Sequence, residues 1–156
     1  VHTGKEQGID MFKPDKSTPL SDVIDHPLLF KIYPEFKDTK VFVDPTVKPI
    51  EAGAWGVYNT IGIGSAVAKA LRRNDLHARS VMLHEIQHLI QDMERFGRGG
   101  SPAQFKKKTP DEAMQAYLAL PGEVESRNVS SRFVADTLVP NLNVRKLVPN
   151  PQPVPY

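Results

Sequence analysis

Residues 83–89 read Leu83-His84-Glu85-Ile86-Gln87-His88-Leu89, and this HExxH stretch decides how the chain is interpreted. Around it, from Leu76 to Phe96, apolar residues recur near helical spacing, which predicts a helix. Residues four apart share one face of a helix, so His84 and His88 can reach the same metal ion. Glu85 lies about 100° further around the helix. Its carboxylate can therefore flank the ion and accept a proton from a water molecule that the ion activates.

A catalytic zinc site needs a third protein ligand and one open position. The chain has no cysteine, so the ligand must be His, Asp or Glu, and no histidine follows directly downstream of the HExxH stretch. The best candidates are Glu123 and Glu125, at the start of a second predicted helix that runs to about Thr137. They lie about 200° apart on a helix, so only one can face the metal. Both also suit a helix N-terminus as ordinary acids, so spacing alone leaves the choice open.

The remaining pattern predicts an α+β fold. Alternating and β-branched residues predict a strand at Lys40–Asp44, and one or two further strands over residues 54–64, where glycines suggest bends or bulges. Thr109 should cap a helix that runs from Pro110 to about Ala119, and Pro121-Gly122 should break the chain before the last helix. Shorter helical segments are predicted at residues 21–25, 28–33 and 65–73.

Length and composition limit the classes of protein to consider. The 156 residues fit one domain, which we predict to span residues 1–148, with a proline-rich tail or linker at 149–156. The start at Val1 and the proline-rich end are typical of a domain that belongs to a larger polypeptide. A formal net charge of +2 is too small to indicate a nucleic-acid partner. No apolar run approaches the length of a membrane span, so no membrane partner is expected.

Four stretches of the chain together resemble a known family. They are residues 25–30 with 33–35, residues 83–88, residues 97–102, and residues 122–129. The chain resembles the zincin-like metallopeptidase domains called large polyvalent protein-associated domain 23, which sit in very long proteins of bacteriophages and conjugative elements. The resemblance covers residues from about 20 to about 135. Two residues depart from it: Pro121 precedes the glycine, and Ser126 stands where alanine is usual.

The resemblance implies a zincin-like fold, in which a small mixed sheet accompanies the HExxH helix and a second ligand-bearing helix. It implies that Zn²⁺ is held by His84, His88 and Glu123. In the wider group with a glutamate ligand, a small residue and then an acid follow that glutamate. Here Ser126 is the small residue, and Arg127 replaces the acid. Arg127 cannot accept a hydrogen bond from a ligand histidine, but it can pair with a carboxylate or steady an oxyanion.

The resemblance also implies that a substrate strand pairs with the edge of the sheet. The stretch from Trp55 to Ile63 is the best candidate for that edge, and an internal strand with bulges is the alternative. Tyr58 or Tyr117 could donate a hydrogen bond to a tetrahedral intermediate, and nothing in the sequence selects between them. His26, which precedes a proline, is expected to be structural, and His77 is expected at the surface.

These observations predict a zinc metalloendopeptidase that hydrolyses peptide bonds of a peptide or protein substrate. The family's setting implies a domain of a larger phage or mobile-element protein that processes itself or a host protein. It would act in the bacterial cytoplasm, with delivery alongside phage or mobile-element DNA as one route. A secreted toxin or effector protease is one alternative. The other is a catalytically idle, zinc-stabilised module that binds a partner, although a structural metal has no need of a base such as Glu85. The oligomeric state stays open.

Overall fold

The computed structural model describes residues 17–97, 99–105 and 108–138. Over these residues the chain forms six α-helices and one mixed sheet of four strands, so the predicted α+β class is confirmed at this level. The chain divides into two compact units, one ending at Glu85 and the other beginning at Ile86. The predicted tail at 149–156 and the domain boundary at residue 148 lie outside the described residues.

The sheet belongs to the first unit. Its strands are β1 (Thr18–Pro19), β2 (Lys40–Val43), β3 (Ala52–Trp55) and β4 (Thr60–Ile63). Their order is β1-β2-β4-β3, in which β2 and β4 are parallel and the other two pairs are antiparallel. The strand predicted at residues 40–44 and the one beginning at Thr60 are confirmed. The prediction of a strand over residues 54–59 is wrong, because Gly56–Tyr58 form a 3₁₀ turn that ends at Asn59, whose φ is 49°.

The stretch predicted as a sheet edge is divided between two positions. β4 is internal, between β2 and β3, so only the Trp55 end of that stretch belongs to the edge strand β3. Packing against the indole of Trp55 explains two glycines of these strands. Gly53 and Gly62 are partners across β3 and β4, and a Cβ atom on Gly62 would stand 2.8 Å from Cζ3 of Trp55. The indole therefore covers a surface that side chains would otherwise occupy.

Three α-helices of the first unit precede the helix that carries the HExxH stretch: α1 (Leu20–Val23), α2 (Pro27–Ile32) and α3 (Ser65–Leu71). Their buried faces and the sheet supply a small core that includes Leu20, Val23, Val41, Ile61, Ile63 and Leu71. His26 caps α2, since its Nδ1 atom accepts the backbone N–H of Leu29 at 3.2 Å. Its predicted structural role is confirmed, as is the surface position of His77.

The helix that carries the HExxH stretch is α4 (Leu76–Glu94), which agrees with the prediction to within two residues at its C-terminal end. Asp75 caps its first turn by accepting the N–H of Ala78 at 2.9 Å. The helix buries Ala78, Met82, Ile86 and Leu89. Beyond its last turn, Arg95 and Gly97 both have positive φ, at 57° and 52°, which turns the chain away from the helix axis.

Two further helices belong to the second unit: α5 (Pro110–Leu118) and α6 (Pro121–Leu138). The predicted cap of α5 is confirmed as a complete capping box, in which Thr109 and Glu112 exchange side-chain to backbone hydrogen bonds. α6 begins two residues earlier than predicted. Pro121 does not interrupt the chain but is the first residue of the helix. Proline is tolerated there because the backbone N–H of a first-turn residue has no acceptor within the helix. Glu123 therefore lies in the first turn of α6.

None of the helices in the described ranges combines the length and the apolar character that crossing a bilayer requires.

Candidate metal centre

The structure brings three of the sequence-predicted ligands together. His84, His88 and Glu123 each offer one ligand atom, and these atoms all lie within 4.8 Å of one another. The two histidines are half-buried on α4, one helical turn apart, and Glu123 on α6 is 2% exposed. Two imidazole nitrogens and one carboxylate oxygen form a donor set that suits a zinc ion with an open fourth position. The group is therefore compatible with metal binding.

The distance between two of these donors also fits an ion. Nε2 of His88 and Oε1 of Glu123 are 3.4 Å apart. That is long for a hydrogen bond. Two ligand atoms each about 2.1 Å from a tetrahedral zinc ion stand about 3.4 Å apart, so the pair is already spaced as two corners of such a site. A buried carboxylate is costly unless a charge or hydrogen bonds compensate it, and a cation at this point would do so.

Glu125, the other candidate ligand, is not in the group. It is half-buried, and its Oε2 atom accepts a hydrogen bond from Nε2 of Gln91 at 2.9 Å. The two glutamates thus take different surroundings, as their angular separation on a helix requires.

Gln91 is a residue of this site that the sequence analysis did not single out. It is 1% exposed, and its Oε1 atom lies 2.9 Å from Nδ1 of His88. Its Nε2 atom lies within hydrogen-bond distance of three acceptors on α6: the Gly122 carbonyl, Glu125 and Ser126. A sequence signal exists, since Gln91 follows His88 by three residues on a helix. Its partners on α6 lie 31 to 35 residues further along the chain, so the sequence could not indicate them.

The loop after α4 lies directly against the same residues. A Cβ atom built on Gly99 would stand 2.6 Å from Cε1 of His88 and 2.7 Å from Oε1 of Glu123. The N–H of the next residue, Gly100, donates to Oε1 of Glu123 at 3.2 Å. In the sequence, these glycines belong to one of the stretches that carry the family resemblance, residues 97–102. The structure shows that Gly99 also allows the backbone to approach two candidate ligands.

Arg127 has a partner that the sequence did not indicate. Its Nη2 atom donates to the carbonyl oxygen of Leu118, the last residue of α5. A cation at the C-terminal end of a helix is favoured by the helix dipole, and here it also satisfies a terminal carbonyl. This contact of Arg127 is to a backbone oxygen, whereas pairing with a carboxylate was one of the two expectations.

The other predicted site residues lie outside the three-donor group. Glu85 follows His84 on α4 and is buried, with 6% of its surface exposed. Tyr117 is half-buried near the end of α5. Tyr58 is 75% exposed, on the 3₁₀ turn between β3 and β4 in the first unit. The roles of Glu85 as a base and of either tyrosine as a donor to an intermediate stay predictions.

No model of a protein family, no curated protein and no solved structure matches the chain.

Proposed function

We propose that the chain is a zinc-dependent metalloendopeptidase domain in which His84, His88 and Glu123 hold Zn²⁺ and Glu85 is the general base. The observation that carries the proposal is the group of three donor atoms within 4.8 Å, two of them from the HExxH stretch of α4. Imidazole and carboxylate donors in this number suit zinc better than calcium or magnesium, which prefer oxygen ligands alone.

The chemistry divides between the ion and the chain. When bound, zinc supplies a Lewis acid that polarises the scissile carbonyl and lowers the pKa of water to about 7. Glu85 takes the proton of the attacking water molecule and returns it to the leaving amine nitrogen. Its burial keeps the carboxylate away from bulk solvent, which would compete for that proton. His84, His88 and Glu123 would hold the ion and would leave one coordination position open for water or substrate.

The family resemblance supports the same proposal. Two of the resembling stretches, residues 97–102 and 122–129, contain the glycine loop and the part of α6 that contact Glu123 or carry it. We extend the proposal to membership of the polyvalent protein-associated domain 23 group. The substrate is then a peptide segment of the larger phage or mobile-element protein, or a host protein in the bacterial cytoplasm.

The number of donors distinguishes the proposal from an idle zinc module. A structural zinc site is usually closed by four protein ligands, whereas a catalytic site keeps one position open. Within the described part of the chain the group contains three donors. This count favours a catalytic site, and the experiment below separates the two functions.

The test combines metal analysis with hydrolysis. Protein purified without added zinc is analysed for metal content and then incubated with a quenched-fluorescence peptide library. We expect one equivalent of zinc and measurable cleavage. Glu85→Gln keeps the shape of the side chain but cannot accept the proton, so it should retain zinc and lose at least about 100-fold in cleavage rate. This variant also controls for contaminating proteases.

Two outcomes would contradict the proposal in different ways. Zinc bound at one equivalent with no cleavage by the wild-type chain would support the zinc-stabilised binding module instead. Absence of zinc, together with no uptake of added zinc, would remove the metal centre and the peptidase with it.

A further inference from the structure

We propose that Gln91 is the positioning residue of the metal centre: it sets which nitrogen of His88 faces the metal, and it ties α4 to the first turns of α6. The inference rests on the metal-binding part of the proposed function. Gln91, His88 and their partners on α6 all lie in the second compact unit.

The hydrogen-bond partners fix the orientation of the Gln91 amide. Its NH₂ group faces the Gly122 carbonyl at 3.0 Å and Oε2 of Glu125 at 2.9 Å. A carbonyl and a carboxylate are acceptors only, so the reversed amide would set oxygen against oxygen on this side. The oxygen of the amide must therefore be the atom that lies 2.9 Å from Nδ1 of His88.

This orientation determines the tautomer of His88. The amide oxygen can only accept, so Nδ1 of His88 carries the proton and donates it. In the neutral ring the lone pair is then left on Nε2, the nitrogen that lies 3.4 Å from Oε1 of Glu123. A ligand histidine whose other nitrogen donates to an oxygen is the usual arrangement at metal sites. Gln91 thus does what the acid missing at Arg127 would be expected to do.

Ser126 is the second polar neighbour of the same nitrogen, and its chemistry is different. Its hydroxyl oxygen lies 3.3 Å from Nδ1 of His88 and 3.3 Å from Nε2 of Gln91. A hydroxyl can donate or accept, so it suits either tautomer of the ring. The distance from the hydroxyl to Nδ1 of His88 is also longer than the 2.9 Å between Nδ1 and the amide oxygen of Gln91. Orientation of His88 is therefore assigned to Gln91 and not to Ser126.

The amide nitrogen of Gln91 holds the segment of α6 that carries the third ligand. Gly122 immediately precedes Glu123, and Glu125 follows it by two residues, so the amide holds α6 on both sides of the ligand. Gln91 is 1% exposed, so water cannot readily replace its hydrogen bonds. Its loss would leave a buried carbonyl, a half-buried carboxylate and an imidazole N–H short of a partner, each of which costs free energy.

Two variants test the inference, with zinc affinity measured by competition against a chromophoric chelator. Gln91→Met keeps the length of the side chain and removes both of its polar ends. We expect zinc affinity to fall by about 10–100-fold, the range seen when a partner of a metal ligand is lost. Ser126→Ala is the matched control, because it removes the other polar neighbour of His88 Nδ1, and it should change affinity far less.

NMR of the zinc-loaded protein reads the tautomer of His88 directly. The Nδ1 proton of His88 should be visible in the wild type and in Ser126→Ala, and it should be lost or exchange rapidly in Gln91→Met.

The outcomes separate this inference from the proposed function. Wild-type zinc affinity and an unchanged Nδ1 proton in Gln91→Met would overturn the positioning role while leaving the peptidase intact. If Gln91→Met does not fold, the wild-type spectrum decides, and a His88 ring that carries its proton on Nε2 overturns the inference. A wild-type chain that binds zinc but cleaves nothing removes the peptidase and leaves the inference standing. A wild-type chain that takes up no zinc overturns both.

Discussion

The backbone N–H of Gly100 donates a hydrogen bond to Oε1 of Glu123 across 3.2 Å. The same oxygen is the one that lies 3.4 Å from Nε2 of His88, so a loop backbone and a ligand candidate meet at one carboxylate atom. Gly99, directly before, leaves room for this approach only because it has no side chain. The glycine loop is therefore part of the candidate metal centre and not only the end of a helix.

We predict that Gly99→Ala impairs metal binding. Its new methyl group would stand 2.6 Å from Cε1 of His88 and 2.7 Å from Oε1 of Glu123, so one of these groups must move. Displacing a group that supports the ligands costs about 10–100-fold in affinity, and we expect a loss of that order here. Chelator competition measures it.

The control for this prediction is the neighbouring glycine. A Cβ atom on Gly100 would meet only the far ends of two flexible side chains, Gln104 and Leu120, at 2.7 Å. These can rotate away, so Gly100→Ala should bind zinc nearly as the wild type does. Equal loss in the two variants would show that the loop tolerates no side chain for reasons unrelated to the ligands.

The two glutamates of α6 should respond differently to removal. Glu123→Ala deletes one of three ligands, so its zinc affinity should fall by more than about 100-fold, the upper range for residues that only support ligands. Glu125→Ala should keep zinc and lose about 1 kcal/mol of stability, since it removes one acceptor of the Gln91 amide. Metal analysis and urea unfolding of both variants check this. The reverse result would assign the third ligand to Glu125.

Arg127 should matter for stability more than for metal binding. Arg127→Met removes the hydrogen bond to the Leu118 carbonyl at the end of α5. A hydrogen bond from a charged donor is worth about 1.5–3 kcal/mol, and urea unfolding of the metal-free protein should show a loss in that range. Zinc affinity should stay at the wild-type value. A loss of peptide cleavage without a loss of stability would instead favour the role at an oxyanion.

The capping box of α5 predicts a pH dependence. Hydrogen bonds from the Thr109 N–H and hydroxyl hold the pKa of the exposed Glu112 carboxyl below its ordinary value of 4.5. A carboxyl whose pKa is lower in the folded state stabilises the fold above its unfolded pKa and loses that contribution as the pH falls through the folded value. The stability difference between the wild type and Glu112→Gln should therefore shrink below pH 4.5.

The measurement uses metal-free protein, so that release of an ion does not contribute to the pH profile. The matched control repeats Glu112→Gln in a Thr109→Val background, which lacks the hydroxyl that donates to the Glu112 carboxylate. The pH dependence of the stability difference should be smaller in that background. An equal dependence in the two backgrounds would show that the Thr109 hydroxyl does not contribute to the effect.

The helices of the site could be predicted from the sequence because their signals are local. α4 follows from apolar residues at helical spacing, and α5 from Thr109, Pro110 and Glu112 in sequence. The first turn of α6 was predicted two residues late, since a proline followed by a glycine usually ends structure, whereas here the proline opens a helix. His84 and His88 followed from their spacing on a helix, and the choice of Glu123 over Glu125 followed from a family pattern. The observed group of donors is compatible with both.

What could not be predicted depends on contacts between distant segments. β3 was placed too late in the chain, because Ala52, Gly53 and Ala54 lack a strand pattern. The glycine in β3 is explained only by the indole of Trp55, which packs against Gly53 and against its partner Gly62 on β4. Gln91 carries no signal beyond its spacing from His88, since its other partners come from α6. The close approach of Gly99 to Glu123 likewise exists only after the loop and α6 have packed.

The position of the only tryptophan gives the molecule an internal optical reporter. Trp55 lies on β3 in the first unit, whereas α5 and α6 belong wholly to the second. Its fluorescence therefore follows the sheet, and circular dichroism in the helical band follows mainly α4, α5 and α6. A denaturant titration followed by both optical signals therefore reports on the two units separately. Coincidence of the two curves is the test for a single two-state transition, and separate midpoints would show that the sheet and the helices α5 and α6 unfold independently.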